Sequence, residues 1–151
     1  MGRWLEHTVT TKVQAPVDRV WTVWSDLEAM PRWMRWIESV KTRDDPDLTD
    51  WTLAAQGFRF KWKARITNRV DQQQLQWGSV GGLPTRGAVR FYEENPELTA
   101  VKLSVSYELP GVLAPLMEPS ILGGIVTKEL QANLDRFRDL VESDYTALSQ
   151  P

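Results

Sequence analysis

Residues 51–70 read WTLAAQGFRFKWKARITNRV, and they contain the clearest β-strand pattern in the chain. From Phe58 onward, apolar side chains alternate with mostly basic ones, which is the period of a strand with one buried face. Gln56 and Gly57 are suited to a two-residue hairpin turn, which places Ala55 opposite Phe58. The register predicted from this turn puts four large apolar side chains on one face: Trp51, Leu53, Phe60 and Trp62.

The segments before this hairpin predict a strand, two short helices and another strand. Residues 7–14 and 37–43 have the character of strands. Between them, Pro16 ends the first strand and begins a helix whose apolar residues recur at helical spacing over residues 17–24. A second short helix is predicted over residues 27–30.

The segments after the hairpin predict further strands and a long helix. A turn over residues 71–74 places Val70 opposite Leu75, and alternation returns over residues 87–93 and 101–107. The long C-terminal helix carries one apolar seam, formed by Leu122, Val126, Leu130, Leu134, Phe137 and Val141. The order of elements predicts an α+β fold in which a curved antiparallel sheet of about six to seven strands wraps around the C-terminal helix.

Composition limits the functions open to the chain. With 151 residues and a net charge of -2, we expect one domain over residues 1–142 and a polar, flexible tail over residues 143–151. The chain has no cysteine and only one histidine, His7, so we expect no metal site and no cofactor. The acidic balance argues against a nucleic-acid partner. The absence of a signal peptide pattern and of a long apolar run predicts a cytoplasmic location.

Five short stretches occur in a familiar order between these elements: residues 15–21 (APVDRVW), 26–27 (DL), 30–33 (MPRW), 87–91 (GAVRF) and 107–111 (YELPG). They resemble the START/Bet v 1-like (SRPBCC) superfamily, and its polyketide cyclase/dehydrase-like branch in particular. The resemblance covers roughly residues 7–141 and implies the helix-grip fold. It leaves the function open, because lipid carriers, quinone binders, aromatic polyketide cyclases and chaperone co-activators share this fold.

Large aromatic residues are spread over the predicted sheet and the two short helices. Any one of these rings could simply fill the core, but as a group they favour a cavity for a hydrophobic small molecule. We interpret eleven residues as its ligand-binding wall: Trp21, Trp24, Trp33, Phe60, Trp62, Trp77, Phe91, Val105, Tyr107, Leu122 and Val126. The sequence leaves open whether Trp33 and Trp36 point inward or form an outer lip.

Three polar residues are candidates for chemistry in such a cavity, namely Tyr107, Glu93 and His7. Tyr107 comes first, because its ring can pack while its hydroxyl donates a hydrogen bond. No Ser/His/Asp group and no close pair of carboxylates follows from the spacing.

Three functions therefore remain open. The first is a carrier or sequestering protein for a lipid, quinone or polyketide-like molecule, and the second is a polyketide cyclase or dehydratase. The third is a co-chaperone-like interaction module, which predicts a filled core and an exposed apolar patch. The sequence does not specify an oligomeric state.

Two surface features have alternative interpretations. The outer face of the strand after the hairpin is basic, with Arg59, Lys61, Lys63, Arg65 and Arg69. It allows a weak contact with an anionic membrane surface, but a solvated sheet face is the simpler interpretation. Gly123 and Gly124 make the front of the long helix easy to deform, which suits either a gate over the cavity or close packing against the sheet.

Overall fold

The computed structural model describes residues 3–113, 115 and 118–149, and it has the predicted α+β architecture. The elements in chain order are β1 (Trp4–Val13), α1 (Val17–Ser25), a 3-10 helix (Leu27–Arg32), β2 (Ile37–Thr42), β3 (Leu48–Ala55), β4 (Phe58–Val70), β5 (Gln74–Gly82), β6 (Thr85–Asn95), β7 (Leu98–Glu108) and α2 (Pro119–Ser149). Seven strands form one antiparallel sheet in the order β1-β7-β6-β5-β4-β3-β2. The sheet curls around α2, so the predicted helix-grip fold is confirmed.

The β3–β4 hairpin has the register predicted from its turn. Ala55 pairs with Phe58, and Trp51 pairs with Trp62. Both turn residues have positive φ, as a tight two-residue hairpin turn requires. The indole rings of Trp51 and Trp62 stack with their centroids 5.8 Å apart. The hairpin therefore presents a flat, apolar inner face.

The β4–β5 pairing differs from the prediction by one residue. Val70 pairs with Gln74, and Leu75 pairs with Arg69. The connecting turn is a three-residue loop in which Gln72 has a φ of 63°, and two β-bulges shift the register further along the pair. The shorter loop accounts for the difference of one residue at the turn. Each bulge then puts an extra residue into one strand, so alternation alone does not give the pairing beyond it.

An aromatic cluster anchors α1 and the 3-10 helix to the second half of α2. The ring centroid of Trp24 lies 4.7 Å from that of Trp33 and 5.0 Å from that of Phe137. All three side chains are buried. Because Phe137 belongs to α2, this cluster holds α1 and the following segment against that helix.

The C-terminal helix is longer than the sequence predicted. We expected a flexible tail from residue 143, whereas α2 continues to Ser149. The reason is Tyr145, which extends the apolar seam four residues beyond Val141 and packs against the core. Its hydroxyl also donates a hydrogen bond to Glu97, at 3.3 Å. Residues 150 and 151 lie outside the described part of the chain.

Candidate functional site

A cavity of about 210 Å³ lies between the sheet and α2. Its wall is almost entirely apolar, with residues of strands β2 to β7 on one side and α2 on the other. The residues that α2 contributes follow the i, i+3, i+4 spacing of one helix face. They are Leu122, Ile125, Val126, Glu129, Leu130 and Asn133.

Eight of the eleven residues predicted as a ligand-binding wall line this cavity: Trp24, Phe60, Trp62, Trp77, Val105, Tyr107, Leu122 and Val126. The other three are not part of the lining. Trp33 is 2% exposed and packs against Trp24 in the core. Phe91 meets the rings of Trp21 and Trp24 edge-on, at centroid distances of 5.6 and 6.0 Å. Trp21 points about 60° away from Trp24 around α1, because three residues fall short of a full helical turn.

The eleven residues predicted from the sequence omit part of the wall. Three of the omitted residues, Trp51, Leu53 and Phe58, could have been included, because strand parity alone places them on the inner face. Met30, Met34 and Trp36 also line the cavity, but they belong to the 3-10 helix and the loop after it. No periodicity gives the direction of side chains there. Of the two tryptophans whose orientation the sequence left open, Trp36 therefore lines the cavity and Trp33 belongs to the core.

Tyr107, His7 and Thr127 form a hydrogen-bonded chain at the cavity wall. His7 Nε2 lies 3.1 Å from Tyr107 Oη, and His7 Nδ1 lies 2.8 Å from Thr127 Oγ1. The imidazole also stacks on the Tyr107 ring, with centroids 5.5 Å apart. Tyr107 lines the cavity, His7 is 6% exposed, and Thr127 is exposed on α2. The chain therefore crosses the wall from the cavity to the surface.

Both titratable members of this chain are neutral at pH 7. Burial lowers the pKa of His7 below its ordinary value of 6.5. Burial also raises the pKa of Tyr107 to about 12. In each case the charged form loses hydration that the surrounding side chains do not replace. The hydrogen-bonded chain therefore consists of uncharged donors and acceptors.

A second polar group lies further along α2. Arg136 forms an ion pair with Glu129 at 3.0 Å, and its Nε donates to the carbonyl oxygen of Trp33 at 3.1 Å. A second guanidinium nitrogen donates to Asn133 Oδ1, which also accepts a hydrogen bond from the backbone N–H of Arg35. Glu129 and Asn133 both line the cavity. These bonds tie the segment around Trp33 to α2 and make this stretch of the wall polar.

Two indole N–H groups in the cavity wall have no hydrogen-bond partner among the described residues. They belong to Trp24 and Trp62, and both nitrogen atoms are buried. A buried donor without a partner costs about 1–3 kcal/mol. A ligand oxygen that reached either N–H group would remove that cost.

The other polar candidate from the sequence lies outside the cavity. Strand parity over residues 87–93 predicts that Glu93 faces inward, but Glu93 is exposed near the end of β6 and is not part of the lining. The register of β6 against β7 shifts just after it, between Glu93 and Asn95. At this end of the strand the side chain reaches solvent.

The basic face of β4 is partly neutralised by neighbouring carboxylates. Three of its arginines form ion pairs: Arg59 with Glu38 at 2.8 Å, Arg65 with Asp45 at 3.3 Å and Arg69 with Asp47 at 3.6 Å. Exposed pairs of this kind add little to stability. They do reduce the positive charge that this face would offer to an anionic membrane.

Gly123 and Gly124 lie in the first turns of α2. A Cβ atom on Gly123 would lie 3.9 Å from the His7 ring, and one on Gly124 would meet no atom within 4 Å. Neither position needs glycine for close packing. The interpretation that remains is a helix end that deforms easily.

In the part of the chain that the structure describes, no group of three or more metal-ligating side chains comes together. None of the helices described there combines the length and the hydropathy that a membrane span requires.

A curved sheet, a long helix and an apolar cavity between them define a helix-grip domain with a ligand-binding role. The chain belongs to the family described as polyketide cyclase / dehydrase and lipid transport, whose sequence model matches residues 13–138. It is 26% identical over 132 residues to an uncharacterized 17.2 kDa protein of Streptomyces lincolnensis. The aligned region covers 87% of this chain and 85% of that protein.

Two solved structures show the same fold at lower identity. The Zhui aromatase/cyclase from Streptomyces sp. R1128 has a TM-score of 0.78 and 20% identity, with 100% of each chain covered. A START superfamily protein from Mycobacterium smegmatis has a TM-score of 0.68 and 17% identity, covering 98% of this chain and 100% of that one.

Proposed function

We propose that this protein binds one hydrophobic small molecule, such as a lipid, quinone or polyketide-like compound, and carries or sequesters it. The observation that carries the proposal is the apolar cavity of about 210 Å³ between the sheet and α2. An engineered apolar cavity of roughly 150 Å³ is large enough to take up benzene. The cavity described here therefore suits a larger, flat or extended apolar molecule.

Apolar burial supplies the driving force for such binding. Each 100 Å² of apolar ligand surface removed from water contributes about 2.5 kcal/mol before the cost of association. The aromatic rings of the wall, including the stacked pair Trp51 and Trp62, offer flat surfaces to a flat ligand. The wall is largely held in place by secondary structure, which keeps the cost of ordering it low.

The test uses the purified protein and two tryptophan substitutions in α2. Native mass spectrometry, followed by denaturing extraction, identifies any molecule that copurifies. Equilibrium dialysis then measures the binding of 1-ethylnaphthalene to the stripped protein. Val126→Trp fills the cavity, whereas Lys128→Trp adds the same ring at an exposed position two residues away.

We expect Val126→Trp to weaken binding of this probe at least tenfold and Lys128→Trp to leave it unchanged. Circular dichroism confirms that both variants are folded. A protein that carries no copurified molecule and takes up no probe would contradict the proposal, as would equal binding by the two variants.

A second candidate function is a cyclase or dehydratase acting on a polyketide-like substrate. The chain of Tyr107 and His7 at the cavity wall favours it, because it places a proton-donating hydroxyl against any bound substrate. If the protein is such an enzyme, Tyr107→Phe should lose turnover of a poly-β-ketone while still binding 1-ethylnaphthalene.

The co-chaperone-like alternative predicts a filled core, and the cavity between the sheet and α2 does not support it.

A further inference from the structure

We infer that Tyr107, His7 and Thr127 act together to recognise a single oxygen atom on the bound ligand, either a carbonyl oxygen or a hydroxyl group. The inference rests on the proposed function, because it needs a ligand in the cavity. It narrows the ligand from any hydrophobic molecule to one that presents a ketone, quinone or phenol oxygen to Tyr107.

At the hydrogen-bonded chain, the apolar wall offers a hydroxyl group that is itself hydrogen-bonded to a second donor and acceptor. Tyr107 Oη belongs to a cavity-lining residue and is 3.1 Å from His7 Nε2. His7 is buried and spans to Thr127, at 2.8 Å from its Oγ1. The other hydroxyl-bearing residue of the lining, Thr85, donates its hydroxyl to the backbone oxygen of Ser106. That bond commits the Thr85 hydrogen within the protein.

A neutral imidazole has one N–H donor and one nitrogen acceptor, so the chain can run in either of two directions. With a carbonyl ligand, the Thr127 hydroxyl donates to Nδ1, and the Nε2–H group donates to Tyr107 Oη. The Tyr107 hydroxyl is then left to donate to the carbonyl oxygen. In this state His7 is the Nε2–H tautomer.

With a hydroxyl ligand, every bond in the chain reverses. The ligand hydroxyl donates to Tyr107 Oη, the Tyr107 hydroxyl donates to Nε2, and the Nδ1–H group donates to Thr127 Oγ1. In this state His7 is the Nδ1–H tautomer. Both arrangements satisfy every polar atom of the chain, which an isolated tyrosine in an apolar wall does not achieve for either ligand.

Thr127 is a positioning residue in this scheme. It is exposed on α2 and does not line the cavity, so it has no route to the ligand except through His7. Replacing it with valine keeps the shape and removes the hydroxyl. An effect of Thr127→Val on oxygen recognition would therefore show that recognition depends on the hydrogen bonds that run through His7.

The first experiment compares two probes that differ by one oxygen atom. Equilibrium dialysis gives the Kd of 1-acetylnaphthalene and of 1-ethylnaphthalene for the wild type, Tyr107→Phe, Thr127→Val and the control Thr146→Val, which is exposed on α2 and outside the cavity lining. We expect the wild type to prefer the ketone by about three- to tenfold, the worth of one hydrogen bond. Tyr107→Phe should lose this preference, Thr127→Val should reduce it, and Thr146→Val should keep it.

The outcomes separate the inference from the proposed function. If neither probe binds, the proposed function fails and the inference fails with it. If both probes bind to the wild type with equal Kd, or if Tyr107→Phe keeps the preference, the cavity binds ligands but the oxygen recognition is wrong. Thr127→Val tests the scheme even if Tyr107→Phe does not fold.

The second experiment observes the tautomer directly. His7 is the only histidine in the chain, so an untagged sample labelled with 15N-histidine gives the NMR signals of one imidazole. We expect the Nε2–H tautomer with 1-acetylnaphthalene bound and the Nδ1–H tautomer with 1-naphthol bound. The same tautomer in both complexes would overturn the inference.

Discussion

Burial of His7 makes the stability of the protein depend on pH just below neutrality. The pKa of His7 in the folded protein is below 6.5, because burial disfavours the imidazolium form. The unfolded chain therefore takes up a proton first as the pH falls, and the free energy of unfolding decreases from about pH 7 downward. This contribution is fully present above the unfolded pKa and is lost as the pH approaches the folded value.

We expect His7→Gln to remove this part of the pH dependence. Urea unfolding at intervals between pH 7.5 and 5.5 should show a steeper loss of stability in the wild type than in the variant. Carboxylates and the terminal amine are common to both proteins, so the difference between the two curves isolates His7. Parallel curves would mean that the histidine titrates equally in the folded and unfolded states.

Trp24 and Trp33 show why single side chains of the site were hard to assign from sequence. Both are large, apolar and buried, and their rings lie 4.7 Å apart. One lines the cavity and the other fills the core beside it. Residue type and spacing do not distinguish the two roles, because a ring in a cavity wall and a ring in the core both pack one face against apolar side chains. The difference arises only from what lies on the other side of the ring.

Strand β6 supports the cavity wall through a glycine. Gly87 pairs with Trp77, whose indole ring lies over it, and a Cβ atom at this position would overlap that ring and lie 3.0 Å from the backbone oxygen of Ser104. The absence of a side chain therefore allows the Trp77 ring to pack closely against the backbone of β6. Trp77 lines the cavity, so the glycine helps to set the shape of the wall.

We expect Gly87→Ala to destabilise the protein by about 1–3 kcal/mol through overpacking. The displaced indole should also weaken the binding of 1-ethylnaphthalene. Thermal unfolding and equilibrium dialysis measure the two effects. Gly78→Ala is the matched control, because it lies next to Trp77 in β5 and its Cβ atom would meet nothing within 4 Å. Equal behaviour of the two variants would show that Trp77 does not depend on Gly87.

The first turns of α2 are expected to control access to the cavity. Alanine at position 124 meets no atom within 4 Å, so Gly124→Ala should raise the free energy of unfolding by about 1 kcal/mol through helix propensity alone. If the bending of this helix end admits the ligand, the same variant should bind 1-acetylnaphthalene more slowly. Stopped-flow tryptophan fluorescence measures that rate.

The control for this effect is Ser143→Ala, at an exposed position near the other end of α2. It should leave the association rate unchanged. A stabilised Gly124→Ala protein with the wild-type association rate would show that ligands enter by another route.

Regular elements were predictable from sequence, and irregular ones were not. The β3–β4 register and the seam of α2 follow from periodicity and one turn, and both are confirmed. The β4–β5 register was missed because the turn is a three-residue loop with Gln72 at positive φ, and bulges shift the pairing again further along the strands. The wall residues Met30 and Met34 were missed because the 3-10 helix and its loop have no period that gives side-chain direction.

The cavity itself depends on the whole molecule. Its volume is set by how strongly seven strands curl and how far α2 stands from them, and periodicity within one element encodes neither. Sequence could name eight of the residues that line it, because inward parity is a local property. The hydrogen-bonded chain from Tyr107 through His7 to Thr127 joins β7, β1 and α2, and His7 of β1 is separated in sequence from its two partners by 100 and 120 residues. Only the assembled fold brings them together.

Filling the cavity should stabilise the folded molecule as a whole, because a ligand that binds only the folded state shifts the unfolding equilibrium by mass action. At a free concentration of a hundred times Kd, the gain is about 2.7 kcal/mol, or about 5–10 °C in Tm for a domain of this size. We expect 1-acetylnaphthalene to produce this shift in the wild type and in Lys128→Trp, but not in Val126→Trp, when measured by differential scanning calorimetry. An equal shift in Val126→Trp would place the binding site outside the space between the sheet and α2.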